Sequence, residues 1–400
     1  MTSTATASPL IASILVLVAT VIAGGALALP QLRLWKVWRA MVTPLASIIG
    51  SGFLVLGPIL AEGYGAYAPL VMVLLCLGAW AFGSAIRANI KRIGDDNDDR
   101  SGYEMVASAT LALAYVISVA YYLNLFGAFA VQVSPWQSQF AARIVTTVMF
   151  LIVLFLGYGR GFTMLERAEY LTVTIKLAII AGLVAGLAWF FYGAASDGDL
   201  FIPPLHTGGW PAITLAFGLL VTVQGFETSR YLGKSYDART RIASMRLAQI
   251  VATVIYVVYV ILLVFAHHVP EGELSETAII DMMKDVSPIL AAMLILAALA
   301  AQFSAAVADT GGSGGLLVEL SKGRLSAKQG YAVLCLIGIA LTWTANVFEI
   351  ISYASRAFAL YYAAQAGIAA RHATGARRYA WAALAALGLV IAIFGQSIEG

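Results

Sequence analysis

IIGSGFLVLGPIL (48–60) decides how this chain folds. It lies in a long apolar run, yet two glycines flank a serine and a Gly-Pro pair follows five residues on. Glycine costs backbone entropy in a helix, and proline removes a hydrogen-bond donor and clashes with the preceding turn. The stretch therefore reads as a membrane-crossing segment that carries its own break.

The surrounding composition supports a membrane setting. The 400 residues are 61% hydrophobic and 11% charged, less than half the charge of an ordinary soluble domain, which is about 25%. Mean hydropathy is +0.87. The apolar blocks are long enough to cross a bilayer, which takes about 20 residues. No long polar stretch leaves room for a separate soluble domain, and no nucleic-acid signature is present. The two cysteines, Cys76 and Cys335, sit inside apolar runs, so neither a disulfide framework nor a metal cluster is expected. Residues 1–8 lack a basic signal-peptide start, so the first apolar block is expected to be retained. No cofactor is called for.

Twelve spans follow, at 9–29, 42–61, 68–90, 104–132, 140–158, 165–192, 211–229, 247–267, 286–312, 330–345, 347–370 and 379–396. Placing the loop QLRLWKVWRA (31–40) in the cytoplasm and alternating puts 20 of the 24 basic residues on that side. Only Lys284 falls opposite, while Arg143, Lys176 and Arg356 lie within spans. A wrong span count would scramble this bias. The expected setting is the cell membrane, multi-pass, with both termini extracytoplasmic. The loop 267–287 is expected to hold a short surface helix.

A second broken span reads AFGLLVTVQGFETSRYLG (216–233), with Gln224, Gly225 and Glu227 at depth. Without the first helix and linker (1–41), five spans (42–192) begin with one broken helix and five more, in a unit over 193–370, begin with the other. An odd number of spans per unit inverts one unit relative to the other, which is the architecture of secondary transporters with a site between the two breaks. A further helix occupies 371–400.

These residues resemble the amino acid–polyamine–organocation (APC) superfamily of transporters. GSGFLVLGPILAEGYGAYAPL (50–70) is similar to its first-helix signature, and LERAEYLTVTIKLAIIAGLVAG (165–186) to its fifth helix with a lysine at Lys176. VQGFETSRYLGKSYDARTR (223–241) is similar to its sixth helix and basic loop, and GGSGGLLVELSKGRLS (311–326) to the end of its eighth. The resemblance covers 42–395 and implies an all-α polytopic membrane protein of five-plus-five inverted-repeat, LeuT-like fold. Here that fold has an extra N-terminal helix, one C-terminal helix and about 12 transmembrane helices in all. It implies alternating-access transport of an amino acid or small amine, with the lysine standing where relatives hold sodium. The added first helix, Asp309 and Arg356 depart from the general pattern.

Candidate substrate-binding residues are Gly50, Ser51, Gly52, Gln224, Gly225, Phe226, Tyr121, Asn124, Asp309 and Arg356, with Lys176 and Glu227 as coupling residues. An unwound Gly50–Gly52 would point backbone N–H groups at a carboxylate, and carbonyls at Gln224–Gly225 would receive an ammonium. Intramembrane charges such as Lys176, Asp309 and Arg356 are costly and need partners. Lys176 is otherwise a structural lysine on first-helix carbonyls. Arg356 is expected to pair with Asp309 or Glu227, and Glu227 with Arg230. As plain packing, the glycines and Tyr121 would simply seat helices together. The other readings are a carrier of inorganic or organic cations, a non-transporting scaffold, and an intramembrane enzyme hinted at by Asp309-Thr310-Gly311 alone. The last would need a second catalytic aspartate in the same motif.

Overall fold

The computed structural model describes residues 9–50, 52–95, 102–158, 163–269 and 274–397, excluding the side chains of 163–171 and 234. Among the described residues there are fifteen α-helices and no strand. They run α1 (Pro9–Leu27), α2 (Pro30–Leu34), α3 (Lys36–Ile48), α4 (Gly52–Tyr64), α5 (Ala68–Ile93), α6 (Gly102–Val131), α7 (Gln139–Tyr158), α8 (Thr163–Asp197), α9 (Gly209–Gly218), α10 (Ala238–Val264), α11 (Ala278–Val286), α12 (Pro288–Leu320), α13 (Ala327–Thr344), α14 (Val347–His372) and α15 (Ala376–Phe394). This is the expected all-α membrane architecture. Eight of the described helical segments are long and apolar enough to cross a membrane. The others have identifiable reasons for weaker signals. Two spans are broken, Lys328 and Gln329 dilute α13, and α14 carries Glu349, Arg356 and Arg371.

Both breaks fall where the glycines stand. The first span divides into α3 and α4, with Ile49 leaving helical geometry between them. The second divides into α9, a 3-10 turn over Leu220–Val223 and a 3-10 segment over Phe226–Lys234. Gln224 is extended there, and Gly225 adopts φ +115°. A Cβ on Gly225 would lie 2.6 Å from the backbone of Ser47 and Ile48. The two breaks therefore touch, and only glycine allows both that φ and that approach.

Irregular backbone at membrane depth must find partners within the protein. Tyr256 of α10 reaches both breaks with its one donor. Its hydroxyl is 2.6 Å from the Ile48 carbonyl and 2.7 Å from the Thr222 carbonyl. Ser355 of α14 accepts from Val221 N–H and donates to the Gly218 carbonyl. Elsewhere helix starts follow the local sequence, with Asp237 capping α10 and capping boxes at Ser326–Gln329 and Asn346–Glu349. Asp237 also meets Lys36, whose ammonium holds that exposed carboxyl well below the usual carboxylate range.

The added α1 docks on α8 where Gly182 and Gly186 leave room. A Cβ on Gly182 would fall 2.3 Å from Thr20 Oγ1, and one on Gly186 would fall 2.8 Å from Val16 Cγ2. Small residues spaced by four let membrane helices approach closely. The expected surface helix in 267–287 is α11, which keeps Asp281, Lys284 and Asp285 exposed and turns its other face inward. Ala278, Ile279, Ile280, Met282, Met283 and Val286 are all buried, and it packs against α4 and α12. Its apolar face favoured burial over lying on water.

Tyr256→Phe removes the hydroxyl shared by the two breaks. Stability is expected to fall by about 1–2 kcal/mol, read as an earlier thermal transition of the purified protein in detergent.

Candidate functional site

A cavity of about 560 Å³ lies beside the breaks. The broken helices contribute Thr43, Ala46 and Ser47 before the first break and Thr228, Arg230, Tyr231 and Leu232 after the second. These halves both lead to the end of the bundle where Arg33, Lys36, Arg92 and Lys322 lie, called here the basic end. The opposite halves, α4 and α9, do not line the cavity and are packed against α11 and α15. The site is thus approached from the basic end and closed at the other.

Lys176 of α8 lines the cavity, and its Nζ donates to the Ala46 carbonyl at 2.7 Å. Ala46 is in the last turn of α3, whose final carbonyls have no intrahelical partner. The ammonium thus sits at the negative end of a half-helix, where cations are favoured. Asp309 of α12 also lines the cavity, is 4% exposed, and accepts from the Ser118 hydroxyl of α6.

The residues of the second break lie deeper. Gln224 donates to the Tyr122 hydroxyl at 3.0 Å. Glu227 is fully buried, and its Oε2 accepts from Gly225 N–H and from the Tyr362 hydroxyl, both at 2.9 Å. Phe226 stacks on Tyr362 at 5.1 Å between centroids. Gly50 faces the Tyr122 ring, and Gly52 opens α4 against the Tyr121 hydroxyl. Tyr121 and Tyr122 lie 5.0 Å apart. Ser51 falls outside the described residues.

Three expectations are corrected. Asn124 faces away, donating to the Ala120 carbonyl and to Thr342 Oγ1 on α13, so it seams two helices together. Arg356 reaches neither Asp309 nor Glu227. Its Nε donates to the Ala392 carbonyl in the last turn of α15 at 2.8 Å, so a helix C-terminus serves where a carboxylate was expected. Glu227 does not hold Arg230. Arg230 instead donates to Glu104 at 2.7 Å and to the Gln365 side chain.

That last cluster was missed by sequence reasoning. Glu104, in the first turn of α6, receives Arg230 from the second broken helix and has Arg92 of α5 at 3.6 Å. Asn89 of α5 donates to Gln365 at 2.8 Å. The network ties the second broken helix to α5, α6 and α14 at the cavity's mouth. A signal was present, since Glu104 directly precedes an apolar run, but charges at a span's end are ordinary.

A family model described as APC superfamily transporter matches residues 30–395. An uncharacterized protein of Aquifex aeolicus (strain VF5) is 40% identical over 352 residues, 85% of each chain. The structure of Mhp1, a nucleobase-cation-symport-1 family transporter in a closed conformation with bromovinylhydantoin bound, is similar with a TM-score of 0.57 at 13% identity. That likeness covers 83% of this chain and 75% of Mhp1 and shows a shared fold.

Thiol labelling checks the direction of access. Ala308→Cys, in the cavity wall, is expected to react with a membrane-impermeant maleimide added at the basic end. Leu215→Cys on α9 is expected to stay unreactive, as are the buried Cys76 and Cys335.

Proposed function

We propose that this chain, which belongs to the APC superfamily of transporters, is a secondary active carrier of an amino acid or related small amine. It works by alternating access without sodium, coupled to protons or to counter-exchange. The observation that carries the reading is the Lys176 ammonium on the Ala46 carbonyl at the first break, in one cavity with Asp309. A fixed ammonium at a half-helix C-terminus occupies the place a bound cation would take. Asp309 offers a carboxylate to a substrate ammonium, and the first N–H groups of α4, which lie beyond the cavity wall, offer a positive helix end to a substrate carboxylate once the breaks part. Gly50–Gly52 and Gln224–Phe226 then form the midplane floor. Glu227, bonded across the second break, senses whether that segment is straight or unwound.

The units 42–192 and 193–370 move against each other in this reading, and the Glu104–Arg230–Gln365 network breaks and re-forms at the mouth. The positive-inside bias puts the basic end in the cytoplasm of a cell membrane, with both termini outside. A nucleobase-like substrate is the second reading. It is favoured by Gln224, whose Oε1 is buried with no protein hydrogen-bond partner among the described residues, beside the Tyr122 hydroxyl. Such an amide suits the ring N–H of a nucleobase-like ligand, and Mhp1 is a nucleobase-cation-symport-1 family transporter with bromovinylhydantoin bound.

Proteoliposome uptake tests both. Labelled amino acids or amines are expected to accumulate with an inward proton gradient or internal substrate, without sodium. Asp309→Asn is expected to raise KM about tenfold or more, the worth of a hydrogen bond to a charged group. Lys176→Ala is expected to abolish accumulation. Uptake competed only by nucleobases or hydantoins favours the second reading, and uptake unchanged in both variants overturns the assigned roles.

A further inference from the structure

A second cavity, of about 310 Å³, lies at the basic end between the close of α5 and the junction of α14 with α15. Lys91 and Arg92 enter from α5, His372 from the last turn of α14, and Arg377 from the first turn of α15. Thr374 and Trp381 complete the wall used here, and Asn89 forms its floor. No carboxylate lines the cavity among the described residues. Among the described residues, Glu104 lies behind Arg92 and accepts from Arg230, and Asp95 accepts from Ala238 N–H on α10.

The location distinguishes this cluster from a solvated charge patch. Ala85, Ala366 and Ala369 form a small buried cluster between α5 and α14, against which Trp381 packs. One wall of the cavity is therefore apolar and the other cationic. The same level of the bundle holds Arg371 stacked over Tyr103 at 4.3 Å and an exposed Tyr379. Tryptophan and tyrosine with basic residues mark the headgroup level of a bilayer. A basic pocket between membrane helices on the positive side suits a lipid phosphate.

We propose that this pocket is a binding site for the phosphate headgroup of an anionic phospholipid, held by Lys91, Arg92, His372 and Arg377, with its acyl chains alongside Trp381. The site also touches the network at the mouth of the transport cavity. Arg92 lies 3.6 Å from Glu104, and Asn89 donates to Gln365, the residue that receives Arg230. A phosphate that draws Arg92 outward removes one basic neighbour from Glu104, so the bound lipid bears on the tie that Glu104 makes with Arg230 of the second broken helix.

Native mass spectrometry of the full chain in detergent, titrated with phosphatidylglycerol, tests this. One phosphatidylglycerol is expected to be retained in preference to phosphatidylcholine. At roughly fivefold per basic charge, the double variant Lys91→Gln/Arg377→Gln is expected to bind about 25-fold more weakly. Thr374→Glu, an independent single change that brings a negative charge into the pocket, is expected to weaken binding as well. Lys322→Gln/Arg324→Gln, two exposed bases on the turn after α12, is expected to leave it unchanged. Equal retention in all variants, or no preference over phosphatidylcholine, overturns the proposal. Displacement of the lipid by millimolar inorganic phosphate also overturns it, by making the ligand a free anion.

Discussion

The two helix breaks meet at the Tyr256 hydroxyl, which lies within hydrogen-bond distance of the Ile48 and Thr222 carbonyls at once. A helix can break inside a bilayer only if its freed backbone groups find partners, because lipid offers none. One phenol on one continuous helix serves both breaks, so neither unwound segment is independent of the other. Lys176 at Ala46, Ser355 at Gly218 and Val221, and Glu227 at Gly225 extend the same solution. These partners come from α8, α14 and the second broken span itself. The result is a pair of breaks held together by side chains from several helices, with Gly225 at their closest contact.

This changes what the breaks can offer a ligand. The simple expectation is that unwinding leaves carbonyls waiting for a substrate ammonium. The Tyr256 hydroxyl lies between the Thr222 and Ile48 carbonyls and donates to one of them at a time, and the Ala46 carbonyl is held by Lys176. Recognition then shifts toward side chains in the cavity wall, where Asp309 and Lys176 stand on opposite helices. Asp309 rests on the Ser118 hydroxyl, a neutral partner. A buried carboxylate held only by a neutral group is a stronger lure for a cation than one locked in an ion pair.

How much of this was legible follows from what hydropathy can and cannot express. Spans were legible because length and apolarity are forced by the bilayer. The breaks were legible because glycine and proline are costly in helices. Lys176 and Asp309 stood out because a charge inside an apolar run is expensive, and both line the cavity. Arg356 stood out by the same rule but misled. The rule says only that a charge needs a partner, and the partner was a helix C-terminus in α15 rather than a carboxylate. Asn124 misled because polarity in a span marks a hydrogen bond without saying whether to a ligand or to a neighbouring helix. Tyr256 was invisible as one of 18 tyrosines, and Glu104 with Arg230 sat at span ends, where charge is unremarkable until the tertiary fold buries it.

The added helix α1 bears on the same design. It seats on Gly182 and Gly186 of α8, and its Ser13 hydroxyl lies 2.8 Å from that of Ser287, the residue that precedes α12. α8 carries Lys176 and α12 carries Asp309, so α1 braces the two helices that bear the cavity's opposed charges. The contact lies toward the closed end, with α11 wedged nearby against α4 and α12. From there α1 runs along α8 as far as Ala178, two residues from Lys176, where Gly24 faces the Ala178 methyl. A helix outside the repeated core thus lies against the helix that presents the cavity's ammonium, and touches the start of the one that presents its carboxylate.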